Sequence, residues 1–208
     1  MGAQVNAHNS TIGTFAGERL DRREFVATLL DRAPEALVVT GLGSPSYDVF
    51  AAGERDRNFY LWGAMGAAVP TGLGLALARP DESVVVITGD GEQLMGIGAL
   101  GSVAVKAPKN LTIVVLDNGH FGETGMQRSH SSLGADLAGI ASSFGIARTE
   151  RVRDIADAER VARIVTAREG TTFVQVFIEQ TEPPRALPPR DGTAVKNKFR
   201  AALGLDTF

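Results

Sequence analysis

Two apolar runs without alternation, each closed by an acidic turn carrying glycine, constrain this sequence more than any other feature. Residues 83–88 read Ser-Val-Val-Val-Ile-Thr and end in Gly89-Asp90-Gly91. Residues 111–116 read Leu-Thr-Ile-Val-Val-Leu and end in Asp117-Asn118-Gly119. A strand with one wet face alternates apolar and polar residues, whereas a strand covered on both faces is apolar throughout, as in parallel sheets. The stretch between the runs, residues 92–106, reads as a helix. Strand, helix and strand in that order form a parallel pair with a crossover.

The rest of the chain repeats the alternation. Residues 20–32 place Phe25, Leu29 and Leu30 at helical spacing, with Asp21 as the N-cap. Residues 37–40 are a β-branched run followed by Gly41, Gly43 and Pro45, a buried strand and then a turn. Residues 65–78 form a Gly- and Ala-rich helix that can pack very close to its neighbours, stopped by Pro80 and Asp81. Helices are expected over 135–144 and 157–168 and a strand over 173–177. A tail with Pro183, Pro184, Pro188 and Pro189 leads to a helix over 194–203. The charged stretch 149–164 reads as the solvated surface of a helix. The expected architecture is a three-layer, doubly wound α/β domain over 18–208, preceded by a flexible polar arm over 1–17.

Composition narrows the functions. With 24 acidic and 21 basic residues, and no basic stripe with interleaved aromatics, a nucleic-acid groove is not expected. The chain has no cysteine, which excludes disulfides, zinc–thiolate sites, iron–sulfur clusters and a cysteine nucleophile. Its longest apolar stretches fall short of the roughly 20 residues a bilayer requires. No basic-then-apolar leader opens the sequence, so a cytoplasmic protein without membrane partners is expected.

In a doubly wound sheet, ligands sit beyond the carboxyl ends of the strands. Three strand ends here carry unusual residues: 40–46, 89–92 and 117–125. A Gly-Asp-Gly turn between strand and helix lets backbone N–H groups approach an anion, and the helix N-terminus favours negative charge. Asp90 places a carboxylate in that same site. Beside a diphosphate it is repulsive unless a cation lies between them. Mg²⁺ suits that position, since it takes hard oxygen ligands, often carboxylate together with phosphate. Asn118 can add an amide oxygen, and the carbonyl of His120 another. A helix cap accounts for Asp90 alone, but not for the matching features at the neighbouring strand ends.

Gly89-Asp90-Gly91, an intervening helix and strand, and then Asp117-Asn118 resemble the cofactor motif of thiamine-diphosphate (ThDP) enzymes. That resemblance implies a ThDP diphosphate-binding domain in which Asp90, Asn118 and the His120 carbonyl hold Mg²⁺. Gly89, Gly91, Glu92, Phe121 and Gly122 would then lie along the cofactor. Asp117, where most of the family has Asn, and the run Thr124-Gly125-Met126-Gln127 resemble the sulfopyruvate and phosphonopyruvate decarboxylase branch. Trp62-Gly63-Ala64-Met65-Gly66 is similar to the turn that grips the aminopyrimidine. There the resemblance implies a Gly63 carbonyl for the 4′-amino group, with Ala64 alongside. It also implies that Met65 wedges the cofactor into its bent form, a role suited to a flexible apolar side chain. Gly43-Ser44-Pro45-Ser46 is similar to that branch's first diphosphate turn. Glu92 departs from the family, where a small residue is usual; its carboxylate must point away or meet a cation. Arg128 and His130 follow in the same loop. A solvated loop accounts for them as well as a role in holding an acidic substrate group does.

The resemblance also implies what this chain lacks. ThDP chemistry requires a carboxylate on pyrimidine N1′, supplied in the family by a separate pyrimidine-binding domain. With 208 residues and one set of glycine-rich turns, no second sheet fits. No catalytic residue is therefore expected on this chain, and a pyrimidine-binding (α) subunit is expected to complete a hetero-oligomer. The implied activity is decarboxylation of a small 2-oxoacid to CO₂ and an aldehyde. A ThDP carboligase or 2-hydroxyacyl-CoA lyase uses the same site. From another class, a non-catalytic ThDP-binding subunit fits the motifs too. The 2-oxoacid:ferredoxin oxidoreductases, whose small subunit usually carries cluster cysteines, fit poorly.

Overall fold

The structure, a computed structural model, describes residues 17–207. The expected arm thus lies outside the described residues, apart from Gly17.

Six strands form one sheet in the order β2-β1-β3-β4-β8-β7, and every neighbouring pair is parallel. They are β1 (Leu37–Thr40), β2 (Asn58–Tyr60), β3 (Val84–Gly89), β4 (Leu111–Asp117), β7 (Arg148–Val152) and β8 (Thr172–Phe177). A two-residue-per-strand antiparallel hairpin, β5 (His120–Phe121) with β6 (Gln127–Arg128), stands apart from it. Burial follows the two-residue strand period. Val38, Val85, Val114 and Val174 face α1 (Arg22–Arg32) and α7 (Asp157–Ala167) in one core. Val39, Val86, Ile113 and Phe173 face α3 (Ala68–Ala78), α5 (Ala99–Lys106) and α6 (Leu137–Ser143) in the other. The sheet is thus covered on both faces, which is why its central strands carry no polar alternation.

Local chemistry explains several boundaries. The Asp21 carboxylate caps α1 by accepting from the N–H groups of Arg23 and Glu24. In α3, a Cβ on Gly72 would lie 2.1 Å from Val86 Cγ2, so the helix reaches its close packing only because that residue is Gly. α3 begins at Ala68 rather than at 65, leaving 62–67 as an irregular turn. The helix expected over 92–106 is two, α4 (Asp90–Met95) and α5, divided at Gly96. A Cβ on Gly96 would sit 2.4 Å from the Gly66 carbonyl oxygen, so the break lets two backbones touch. α2 (Ser44–Ala51) starts inside the segment that read as a turn, with Gly43 at φ 81° before it and Pro45 in its first turn.

One expectation is corrected. The first residues of the charged stretch 149–164 belong to the edge strand β7, paired with β8, and not to a helix surface. An edge strand with half-exposed residues carries charges that blur the strand period. α8 (Gly192–Ala202) closes the described chain and packs Phe199 on Phe59, ring centroids 5.4 Å apart.

The topology sets the position of the site. From β1 the chain runs to β2 on one side, and β3 then pairs with β1 on the other. The connections at their carboxyl ends diverge, opening the crevice where α/β sheets bind ligands.

Candidate functional site

That crevice holds a cavity of about 250 Å³. Its wall takes Ser44 from the turn after β1, Gly89, Asp90, Gly91 and Glu92 from the turn after β3, and Asn118 from the turn after β4. Met65 closes one side, and the hairpin contributes His120, Phe121 and Gly122. Gly43, Ser46, Gly63 and Ala64 do not line it. The Ser46 hydroxyl turns inward, pairing with Thr40 Oγ1 at 2.5 Å and donating to the Gly41 carbonyl at 2.6 Å. Gly63 and Ala64 are exposed on the rim beside Met65, and Gly63 adopts φ 78°, a conformation suited to glycine.

Asp90 is 2% exposed and sits in a buried polar network. Its Oδ2 accepts from the hydroxyls of Ser129 and, at 3.1 Å, Ser131. The Ser131 hydroxyl also lies 2.8 Å from Asp117 Oδ1. Asp117 Oδ1 further accepts from Gly119 N at 3.0 Å, and its Oδ2 from Gln175 Nε2 at 2.7 Å. The Gln175 amide oxygen accepts in turn from Ala138 N. Burial raises the Asp90 carboxyl above its ordinary range, the nearby Asp117 carboxylate raises it further, and the two serines oppose the shift. Asp117 is also raised by burial, opposed by Gln175, Ser131 and the Gly119 N–H. Two buried carboxylates in one network repel, and a divalent cation beside Asp90 would relieve that repulsion.

Sequence reading missed Ser129, Ser131 and Gln175. Gln175 left a signal, the lone polar residue in Phe-Val-Gln-Val-Phe, a strand otherwise apolar. The serines left none, because the hairpin that brings 129–131 back to Asp90 depends on tertiary contacts such as Ser129 N to Gly119 O at 2.8 Å.

The Asn118 amide oxygen accepts from His120 N at 2.9 Å, an Asx turn that presents the amide to the cavity. An amide oxygen keeps a second lone pair after one such bond. The His120 ring folds back, its Nδ1 2.9 Å from the Asn118 carbonyl. A Cβ on Gly91 would fall 2.4 Å from the Phe121 ring, so glycine at that position lets α4 lie against the hairpin.

The Glu92 side chain does not face a cation among the described residues. It is buried and accepts from Thr88 Oγ1 at 2.8 Å and Gly66 N at 3.3 Å. Burial raises its carboxyl, opposed by Thr88 and by the N–H groups of Ala68, Gly66 and Leu42. Arg128 bonds to Ser132 and His130 lines a separate open hollow with Phe121 and Met95; neither lines the main cavity. Arg22 does line it, buried and paired with Asp48 at 2.6 Å.

The donor set fits a hard cation: one carboxylate, one amide oxygen and a neighbouring backbone carbonyl. Among the described residues no group of three His, Asp or Glu side chains is gathered for a metal. A cation held here would therefore share its coordination with an anionic ligand, which is the habit of Mg²⁺ with phosphates.

Comparison with known proteins agrees with this geometry. Residues 46–176 match the family described as thiamine pyrophosphate enzyme, C-terminal TPP binding domain. A sulfopyruvate decarboxylase of Methanosarcina acetivorans is 33% identical, over 90% of this chain and 48% of its own length. The sulfopyruvate decarboxylase subunit beta of Methanococcus maripaludis is 30% identical over 88% of this chain and 98% of that subunit. A phosphonopyruvate decarboxylase of Streptomyces hygroscopicus is 38% identical over 72% of this chain and 37% of its own length. The chain thus spans about half, or less, of the Methanosarcina and Streptomyces relatives and nearly all of the Methanococcus subunit. Among solved structures, a thiamin diphosphate-dependent enzyme from Mycobacterium smegmatis superposes with a TM-score of 0.66 at 26% identity, covering 78% of this chain and 32% of that one.

Proposed function

The chain belongs to the thiamine pyrophosphate enzymes, as their C-terminal cofactor-binding domain, and from that premise we propose that it is the diphosphate- and Mg²⁺-binding subunit of a cytoplasmic two-chain 2-oxoacid decarboxylase. The observation that carries the reading is Asp90: a carboxylate held by serines at the mouth of an anion-binding turn, with the Asn118 amide across the same cavity. A 2-oxoacid bearing a second acidic group, of the sulfopyruvate or phosphonopyruvate kind, is the substrate that the named relatives support.

Asp90, Asn118 and the His120 carbonyl would hold Mg²⁺, and Mg²⁺ would join them to the diphosphate. When bound, ThDP supplies the carbon nucleophile and the electron sink that decarboxylation requires. The residues of this chain orient and shield. Ser129 and Ser131 fix the Asp90 carboxylate, and Phe121 walls the cavity against water. Met65 stands at the side of the cavity, positioned to bear on the cofactor's shape. No group on this chain is assigned the activating proton transfer. A pyrimidine-binding partner brings that carboxylate to the exposed rim at Gly63, Ala64 and Met65.

The test is reconstitution. The chain mixed with its pyrimidine-binding partner, ThDP and Mg²⁺ is assayed for aldehyde release across acidic, aliphatic and aromatic 2-oxoacids. Turnover fastest with a sulfonate- or phosphonate-bearing 2-oxoacid is expected. Condensation products in place of free aldehyde would transfer the chain to the carboligases, and cofactor binding with no turnover on any substrate would make it a non-catalytic subunit.

A further inference from the structure

The Glu92 side chain touches the turn after β1, the turn after β3 and the turn that carries Met65. It projects from the first turn of α4, and its carboxylate accepts from Thr88 Oγ1 at the end of β3. It also accepts from Gly66 N in the turn that carries Met65. The N–H groups of Ala68, at the start of α3, and of Leu42, in the turn after β1, stabilise it as well. Space confirms the same arrangement. A Cβ on Gly41 would lie 1.4 Å from Glu92 Oε2, so the carboxylate occupies the volume that any side chain at 41 would take. The residue is 4% exposed, and among the described residues it has no cationic partner; O–H and N–H donors meet its carboxylate.

From this geometry we infer that Glu92 is a positioning residue which presets the distance between the metal turn, the diphosphate turn and the Met65 turn before cofactor arrives. The inference rests on the reading of the cavity as a ThDP site. A carboxylate carries only acceptors, and the donors around it point inward from separate loops; removing it leaves them buried and unmatched. A site whose walls are already spaced for its ligand avoids the cost of ordering them on binding. This also explains how a carboxylate is tolerated two residues from Asp90: its oxygens are met by the Thr88 hydroxyl and by backbone N–H groups.

The test uses Glu92→Gln, which keeps the shape but sets an NH₂ group against the inward-pointing donors. ThDP is titrated into the reconstituted complex at saturating Mg²⁺, following Trp62 fluorescence, and in parallel through turnover. Glu92→Gln is expected to weaken ThDP binding about tenfold or more, the usual effect of leaving a buried donor unmatched. The apparent ThDP constant should change more than turnover at saturating cofactor. Unchanged ThDP affinity in a folded Glu92→Gln complex overturns the inference while leaving the proposed function standing. Failure of the unsubstituted complex to bind ThDP overturns both. A second comparison does not depend on Glu92→Gln folding well. Gly41→Ala should lower the melting temperature in the unsubstituted chain and have little effect beside Glu92→Ala, because the alanine then fills the vacated space. Equal losses in both backgrounds would contradict the placement.

Discussion

At one end of the cavity Asp90 is 2% exposed, and its Oδ2 is met by two serine hydroxyls; at the other, Met65 is 39% exposed beside a bare Gly63 and Ala64. The first region is supported by Ser129, Ser131, Asp117 and Gln175, drawn from β4, β8 and the loop after the hairpin. The second is a single irregular turn with open space around it: nothing lies within 4 Å of where a Gly63 Cβ would stand. On the proposed function, that difference separates what this chain supplies from what its partner brings. Diphosphate and metal binding would draw on fixed oxygens and N–H groups, which the Asp90 end of the cavity holds. Activation of the pyrimidine requires a carboxylate, which the proposed function assigns to the partner; Gly63, Ala64 and Met65 on the rim carry none.

The largest expected effect falls on the buried end. Asp90→Ala should abolish Mg²⁺-dependent ThDP binding, a loss of about a hundredfold or more, since Mg²⁺ relies here on a single carboxylate. The apo chain should melt no lower, because Ser131 keeps its bond to Asp117 and the repulsion between the two buried carboxyls is gone. Retained affinity in a cofactor titration would remove Asp90 from the ligand set.

Gln175→Leu tests whether the support matters as well as the ligand. It strips Asp117 of its 2.7 Å donor and should cost about 1–3 kcal/mol of stability, as a buried carboxylate left short of a partner does. Cofactor affinity should fall by about tenfold, the lower range for partners that orient a metal ligand. A chemical denaturation midpoint identical to that of the unsubstituted chain would show the network to be slack.

Met65→Ala probes the open end and should behave in the opposite way. The residue is half exposed, so stability should change by no more than about 0.5 kcal/mol. ThDP affinity should change by less than about threefold, an effect below 1 kcal/mol, while proton exchange at the cofactor's reactive carbon slows in the reconstituted complex. Unchanged exchange would leave Met65 without a function.

The smallest effect is a pH dependence. Asp90 and Asp117 both have folded pKa values raised by burial, so the folded apo chain holds protons that the unfolded chain has released. Their contribution to stability falls as pH rises from about 4, the unfolded carboxylate value, through the raised folded values. A cation replaces those protons. Mg²⁺ with ThDP should therefore raise the melting temperature more at about pH 8 than at about pH 5. Equal shifts at both would argue that the cation does not meet these carboxylates.

The two regions also differ in how far they could be read from the sequence. Asp90, Asn118 and the unalternating strands on either side were legible because strand ends, spacing and glycine requirements are local properties. The parallel sheet followed from them. What was not legible is what depends on distant contacts. The break at Gly96 exists because it meets the Gly66 backbone, and the serines reach Asp90 only after the hairpin has folded back. β7 was hidden by its edge position, where charged Arg148, Glu150 and Arg151 replace the apolar alternation. Glu92 looked out of place because its backbone donors Ala68, Gly66 and Leu42 lie 24, 26 and 50 positions away in sequence.

The division of labour between the two ends is tested most directly by titrating the pyrimidine-binding partner into a fixed amount of this chain with ThDP and Mg²⁺ and following aldehyde release. Turnover should be absent at zero partner, rise linearly and level off at equal numbers of the two kinds of site. Turnover by this chain alone would place the activating carboxylate here and contradict the account of a cavity complete at Asp90 and open at Met65.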